Sequence, residues 1–511
     1  MLEFVEAMFR KILIANRGEI AVRIARACHE MGIAAVAVYS EVDRGSLHVQ
    51  LADQAYPIGP APSRESYLSI EKIIDVARRA GCDALHPGYG FLAENADLPR
   101  ACAEAGITFI GPSAEAMERL GSKTAARHVA IQAGVPMVPG TLDPIEDPAR
   151  AHVVANEIGF PLLLKAVAGG GGKGMRVVER EAELDDSWRT AGSEALNAFG
   201  DGRLYMERYL PSPRHIEIQL LADNEGHCIY LGERECSVQR RHQKVIEEAP
   251  SSVVEPALRQ EMGEAAVRLA RAAGYQNAGT AEFLVDEDGR FYFLEVNTRL
   301  QVEHPVTEAV TSLDLVKLQI RIAAGEPLPI RQEDVILRGH AMECRVYAED
   351  PDNHFFPSPG KILSMRLPEG PGIRNDVGVT SGWTVPGDYD PILGKLIAWG
   401  ADREEAVARL TRALDEYSVV GIKTNLGLFR RLLRDPEFAR GAIHTRWLDG
   451  WLSRAEGAPA TLPEEETAAA LAAVLWEATT NGSKYATRPP ARVSRWKREG
   501  RADQVDNQPR R

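Results

Sequence analysis

The chain has 511 residues, 44% of them hydrophobic and 26% charged, which is material for about three ordinary domains. A formal net charge of −13 argues against a nucleic-acid surface, which works by neutralising phosphates with clustered Lys and Arg, so any anionic ligand must be met by a local site. Cys28, Cys82, Cys102, Cys228, Cys236 and Cys344 lack CxxC spacing, which excludes a zinc ribbon and a dense disulfide framework. No run approaches the about 20 apolar residues that span a bilayer, and the start MLEFVEAMFRK carries acids where a signal peptide carries bases. A soluble, cytoplasmic protein with no membrane partner is expected.

Residues 12–15 form a short apolar run, followed by a helical pattern through Ile20, Ile24 and Ala27 to Gly32 and a second apolar run over 33–39. This is a βαβ opening, but its turn, Asn16-Arg17-Gly18-Glu19, lacks GxGxxG and gives no support to a nicotinamide or flavin site. Alternation continues through 73–80, 84–86 and 108–110, predicting a doubly wound α/β domain over residues 1–121. From Ser122 the pattern becomes a helix and then strands with glycine-rich turns, a nucleotide domain over 122–330. Residues 331–450 show short runs broken by Pro and Gly and a helical pair over 403–417 and 426–433, predicting a mixed α+β third domain. Within 451–511, acids 464–466 behind Pro463 start a helix striped by Leu471, Val474, Leu475 and Ala478 and stopped by Asn481-Gly482; a basic tail follows, giving either a partner-docking segment or a disordered end.

Chemistry concentrates in three places. The loop 168–174, AGGGGKG, lets backbone amides close over phosphate oxygens, and Lys165 ends the strand before it; no GxxxxGK[ST] P-loop occurs. Residues 204–210, LYMERYL, read as a strand that can offer backbone groups to an adenine edge, although an ordinary core strand has the same composition. In residues 291–304, FYFLEVNTRLQVEH, an extended chain would project Glu295, Asn297, Arg299, Gln301 and Glu303 from one face. Glu282 lies before the turn Asp286-Glu287-Asp288-Gly289, and hairpin register brings it to the face of Glu295 and Asn297. Two carboxylates and an amide oxygen on one sheet face suit a hard cation shared with phosphates; a solvated strand face is the bland alternative, seldom followed by a cation and a base like Arg299 and Glu303.

The segments NRGEIAVRIARA, HPGYGFLAEN, GGGGKGM, RHIEIQ, QRRHQKVIEEAP, LEVNTRLQVEHPVTE and GHAMECRVYAED together resemble the biotin carboxylase family of the ATP-grasp superfamily, over residues 11 to about 450. The resemblance implies an ATP-grasp domain over 122–330 with a mobile lid at about 137–210, flanked by the family's N-terminal and C-terminal domains. It implies nucleotide contacts from Lys123, Lys165, Gly171, Gly172, Glu207, Arg208, Tyr209, Leu210, His215, Gln239 and His242, with Glu282, Glu295 and Asn297 holding Mg²⁺ or Mn²⁺ beside ATP. It further implies a bicarbonate site of Lys244, Arg299, Gln301 and Val302, Glu303 as the base that deprotonates bicarbonate, and Arg345 facing the ureido oxygen of biotin. Such a ligase phosphorylates bicarbonate with ATP and passes CO₂ from carboxyphosphate to biotin.

Ala168 stands where many relatives have glycine and Lys173 where some have Arg; neither removes a charge. No AMKM-like attachment motif occurs, so biotin is expected on a separate carrier protein, and a carboxyltransferase partner is expected to choose the acceptor. Acetyl-CoA, in fatty acid synthesis, is the first expectation, with propionyl-CoA or pyruvate as alternatives. The resemblance also implies a homodimer with Arg17 and the third domain near the interface. A nucleotide-binding regulatory protein without turnover is the rival of another class, and the intact set Lys244, Arg299, Glu303 and Arg345 argues against it.

Overall fold

Lys11–Ile14, Ala34–Ser40, Gln54–Gly59, Ala84–His86 and Thr108–Phe109 pair in parallel, in the spatial order third, second, first, fourth, fifth. Parallel neighbours need crossovers, and helices such as Gly18–Glu30, Ile70–Ala80 and Asp97–Glu104 supply them. The central strand is buried on both faces: Ile12 and Ile14 join a core with Ile20 and Ile24, whereas Leu13 and Ala15 join another with Val36, Val38 and Ile73. Its continuous apolar run is therefore two alternating sets, not one stripe.

The computed structural model describes residues 9–145, 147–167 and 175–455, together with 468, 469, 471, 472 and 476. A second, eight-stranded antiparallel sheet runs Phe291–Asn297, Asn277–Val285, Arg214–Ala222, Cys228–Arg240, Gln243–Ala249, His340–Tyr347, Ile392–Gly400, Ile373–Val377. Gln243–Ala249 pairs directly with His340–Tyr347, so the position near residue 330 falls within one sheet rather than between two. Helix Pro256–Ala273 packs its Met262, Ala266 and Leu269 on one face, against Ile216, Ile218 and Phe283. Further along, Arg403–Glu416 covers Met342, Cys344, Val346 and Leu396 with Leu410, Ala413 and Leu414. The opposite face carries the charged residues and the helix His304–Thr311.

A smaller three-stranded sheet of Leu162–Ala166, Met175–Val178 and Leu204–Arg208 has its own core with helices Pro148–Ile158 and Leu184–Phe199. Isolated bridges join Gly140 to Glu207 and Ile145 to Leu204. The loop 168–174 lies outside the described residues. All six cysteines are buried free thiols, and among the described residues no helix is long and apolar enough to cross a membrane. Ser453–Arg511 forms a separate unit; its described residues between 468 and 476 are helical, with Leu471 and Trp476 exposed, and the rest of the predicted 463–480 helix lies outside the described residues.

Candidate active site

Strict alternation loads one face of the eight-stranded sheet with charge. In Arg214–Ala222, Ile216, Ile218 and Leu220 enter the core, leaving His215, Glu217 and Gln219 on the other face. In His340–Tyr347, Met342, Cys344 and Val346 turn to the Arg403–Glu416 side, leaving Glu343 and Arg345 opposite. Phe291–Asn297 needs a correction of phase: Phe283 pairs with Phe293 but Glu282 pairs with Glu295, so Leu294 is an extra residue, a β-bulge. Phe291, Phe293 and Val296 therefore all reach the core, and Glu295 and Asn297 share the face of Glu282 and Thr280.

The extended chain predicted over 291–304 stops at Asn297. Leu300, wholly buried in the core that holds Ile20 and Leu315, pins a turn over 298–303, and His304 Nδ1 lies 2.8 Å from the Gln301 carbonyl. The turn, not strand alternation, returns the side chains to the site. Arg299 Nη1 donates to Gln301 Oε1 at 2.9 Å, and Arg299 Nη2 to Asn297 Oδ1 at 3.3 Å. Gln301 Nε2 and Asn297 Nδ2 both donate to Glu282 Oε1, at 3.2 and 2.7 Å. Glu303 stands at the N-cap position of the helix His304–Thr311 with no side-chain bond to it, and Lys395 Nζ donates to the Val302 carbonyl at 2.8 Å.

Lys244 is the hub. Its Nζ donates to Glu217 Oε2 at 2.5 Å and to Glu282 Oε1 and Glu303 Oε1 at 2.7 Å each, matching three N–H donors to three carboxylates. Arg345 donates from Nε to Glu247 Oε1 at 2.5 Å and from Nη2 to Glu303 Oε2 at 2.9 Å. Arg234, fully buried, bonds Glu217, Gln219, Thr280 and Thr307. His215 Nε2 lies 2.8 Å from Glu282 Oε2, and Gln239 Nε2 lies 2.7 Å from His215 Nδ1.

Burial alone would raise the Glu303 carboxyl, but Lys244, Arg345 and Arg234 hold it well below the usual carboxylate range. Burial likewise opposes the charge on Lys244, and Glu217, Glu282 and Glu303 overcome it, so the ammonium is held well above its ordinary value. Burial pushes Glu217 up, and pushes Glu247 up to about 7 even with Arg345 beside it. Glu303 is thus a buried, ionised carboxylate between two cations.

Lys165 and Arg127 both ion-pair with Glu207 on the small sheet. The amides of Arg208 and Tyr209 are taken by the carbonyls of Pro139, at 2.7 Å, and Pro161, at 3.0 Å, so neither N–H is free for an adenine edge. Leu210 follows the strand in irregular chain, and His242 sits exposed at φ 67° in the tight turn between Cys228–Arg240 and Gln243–Ala249. Lys123 opens the helix Lys123–Gln132 beneath the Ser122 cap, its side chain outside the description, as are Gly171 and Gly172. Arg17, expected near a dimer interface, is paired with Asp43 at 2.7 Å, and its guanidinium lies 4.5 Å from the Tyr389 ring centroid. Sequence reasoning missed Glu217, Arg234, Glu247 and Lys395; the polar positions of RHIEIQ and the lone lysine of ILGKLIAWG were the available signals.

Ligand atoms of His215, Glu217 and Glu282 lie within 4.8 Å of one another, but Lys244 already bridges the two carboxylates. Glu282, Glu295 and Asn297 provide the alternative oxygen set, two carboxylates directly opposite one another and an amide one rung away. Glu282 Oε1 accepts from Lys244, Asn297 and Gln301, and Oε2 lies 2.8 Å from His215 Nε2, so a cation would take the place of these donors; two carboxylates and an amide oxygen are donor chemistry that fits a hard divalent cation.

Three family models match in turn: Biotin carboxylase, N-terminal domain, over residues 8–117; Carbamoyl-phosphate synthase L chain, ATP binding domain, over 122–331; and Biotin carboxylase C-terminal domain, over 343–450. Biotin carboxylase 1 of Bacillus subtilis is 51% identical over 443 residues, covering 86% of this chain and 98% of that protein. The chain belongs to the biotin carboxylase family. Its three-part architecture is that of the biotin carboxylases, and membership makes it an ATP-dependent ligase. A pyruvate carboxylase chain of Methanothermobacter thermautotrophicus is 52% identical over 443 residues, 86% of this chain and 90% of that one. The biotin carboxylase of Campylobacter jejuni, solved as a β,γ-ATP complex, has a TM-score of 0.82 at 47% identity, covering 87% of this chain and 99% of that one. The biotin carboxylase domain dimer of Hydrogenobacter thermophilus 2-oxoglutarate carboxylase, solved with MgADP, ADP and bicarbonate, has a TM-score of 0.81 at 48% identity, covering 87% of this chain and 98% of that one.

Proposed function

We propose that the chain carboxylates biotin borne on a separate carrier protein, using MgATP and bicarbonate, with Glu303 as the base that takes the bicarbonate proton. The observation that carries this reading is the placement of Glu303, buried yet ionised between Lys244 and Arg345. A carboxylate shielded from water becomes an effective base when substrate displaces one of its partners. Lys244, Arg299, Gln301 and the Val302 main chain line the place where bicarbonate would meet Glu303.

Deprotonated bicarbonate attacks the γ-phosphoryl group, the bond to ADP breaks, and carboxyphosphate forms. Splitting of carboxyphosphate gives CO₂ and phosphate, phosphate takes the N1′ proton of biotin, and N1′ bonds to CO₂. Arg345 stabilises the charge that develops on the ureido oxygen, and removal of such a donor costs about 10²- to 10³-fold in rate. Mg²⁺ or Mn²⁺, when held by Glu282, Glu295 and Asn297, neutralises charge on the transferring phosphates.

Lys165, Glu207, Arg208, Tyr209, Leu210, His215, Gln239 and His242 form our nucleotide site, with Lys123, Gly171 and Gly172. The separate core of the small sheet supports residues 137–210 as a lid that moves as a body. We take 1–121, 122–330 and 331–450 as the functional domains and 451–511 as a terminal extension. We also place the protein in the cytoplasm as a homodimer working with a biotin carrier and a carboxyltransferase. For the acceptor, acetyl-CoA of fatty acid synthesis is our first reading; pyruvate has the support of the 52% identical archaeal relative. ATP hydrolysis with bicarbonate and Mg²⁺, with and without free biotin, tests the reading. Biotin should stimulate the wild type and leave Arg345→Ala nearly unaffected; absence of a biotin response in the wild type overturns it.

A further inference from the structure

The eight-stranded sheet places two buried cations side by side. Arg345 and Lys395 are cross-strand partners on His340–Tyr347 and Ile392–Gly400. Arg345 reaches the Glu303 carboxylate, and Lys395 reaches the carbonyl of Val302, the residue before it. We propose that Lys395 is a positioning residue for the bicarbonate site, fixing the 298–303 turn by its grip on the Val302 carbonyl while Arg345 fixes the Glu303 side chain. This rests on the function proposed above.

Lys395 is the one charged residue in ILGKLIAWG, a strand whose Leu393, Leu396, Ile397 and Ala398 are core residues. Its side chain is 0% exposed. An ammonium so placed needs acceptors, and it finds them in two distant parts of the chain. Glu19 Oε1, on the first helix, lies 3.3 Å away, and the Val302 carbonyl accepts at 2.8 Å; the Tyr89 ring centroid is 5.7 Å off. A buried ion pair alone is poorly explained by stability, since an apolar pair of similar volume serves as well. What an apolar residue cannot do is donate to the main chain of a segment that has no ladder. Residues 298–302 belong to neither strand nor helix, so the Val302 carbonyl has no sheet or helix partner. The bond from Lys395 therefore sets the orientation of the peptide between Val302 and Glu303, from which the base projects.

Lys395→Met keeps the side-chain length and removes the donor. With ATP, Mg²⁺, bicarbonate and free biotin, the KM for bicarbonate should rise about tenfold and kcat fall by a similar factor, because displacements on the ångström scale cost this much or more, while the KM for ATP stays within about twofold. Glu19→Gln, which loosens the ammonium from behind but leaves its donors, should move the bicarbonate KM in the same direction by about threefold. If the KM for bicarbonate and ATP rise together in Lys395→Met, or neither moves, Lys395 is a structural tie only and the proposal falls. If Lys395→Met does not fold, an unchanged bicarbonate KM in Glu19→Gln overturns it equally. Wild-type turnover without a biotin response would instead sink the reading of the site, so the two failures are distinguishable.

Discussion

Arg345 and Glu303 meet at 2.9 Å, and each is held from behind by a second charge. Glu247 lies 2.5 Å from Arg345 Nε, and Lys244 lies 2.7 Å from the other oxygen of Glu303. The result is a chain of alternating sign, Glu247, Arg345, Glu303, Lys244, continued to Glu217 and Glu282. In the function proposed above, substrate would enter by displacing members of this chain, and the charges that meet it would already be desolvated and aimed.

Glu303→Gln keeps the shape and removes the proposed base. Turnover should fall by about 10²- to 10⁴-fold. Binding of MgATP, read by calorimetry, should stay near the wild-type value, because the proposed nucleotide contacts do not include Glu303.

Lys244→Met leaves Glu217, Glu282 and Glu303 together without their ammonium, and breaking such a buried set should cost about 3–5 kcal/mol. In the variant, burial and mutual repulsion raise the folded-state pKa of these carboxyls above the unfolded value. Groups so raised stabilise the fold at low pH and lose that contribution as pH rises. The Tm deficit relative to the wild type should therefore be smallest near pH 5 and grow toward pH 8, as differential scanning fluorimetry across that range would show.

Glu247 gives a pH signature of its own. Burial pushes its carboxyl up to about 7, against about 4.3 for an unfolded glutamate, so its ionisation withdraws stability between those values as pH rises. Glu247→Gln cannot ionise. The difference in Tm between the variant and the wild type should become more favourable to the variant from pH 5 to pH 8; a flat difference would show that the carboxyl ionises without penalty.

Deletion of Leu294 removes the bulge and restores uninterrupted pairing beyond Phe283 and Phe293. Glu295 would then follow Phe293 directly and stay opposite Glu282, with Asn297 still opposite Thr280, so both would keep the site face. Mg²⁺-dependent turnover should be retained within about tenfold in the deletion variant and in Leu294→Ala alike; its abolition in the deletion alone would show that the bulge itself positions Glu295.

Much of the site was legible because a strand sends alternate residues to opposite faces. That rule puts Glu282 with Glu295 and Asn297, and the structure pairs them. It reached the right face only because a bulge intervenes: with regular pairing, Glu295 would sit opposite Ala281 on the core side. Nothing in FYFLEVN announces the extra residue, since Leu294 is as apolar as its neighbours. The same rule, carried past Asn297, wrongly kept Arg299 to Glu303 extended, because it did not weigh Leu300 as an anchor. Glu217, Glu247 and Lys395 escaped for another reason. Their partners are set by pairing between strands far apart in sequence, such as Ile246 with Cys344, which local patterning does not report.

The hydrogen bonds from Gln243–Ala249 to His340–Tyr347 also limit how this catalyst can be inherited. Cut before His340, the remaining chain would present a bare strand edge, an invitation to aggregate, and would lose the arginine that meets Glu303. Nucleotide chemistry and biotin chemistry are thus woven on one loom, and a carboxylase that acquires one must acquire the other in the same stretch of gene. Diversity among such enzymes is free to accumulate where no strand crosses, in the partners that bring biotin and carry the carboxyl group away.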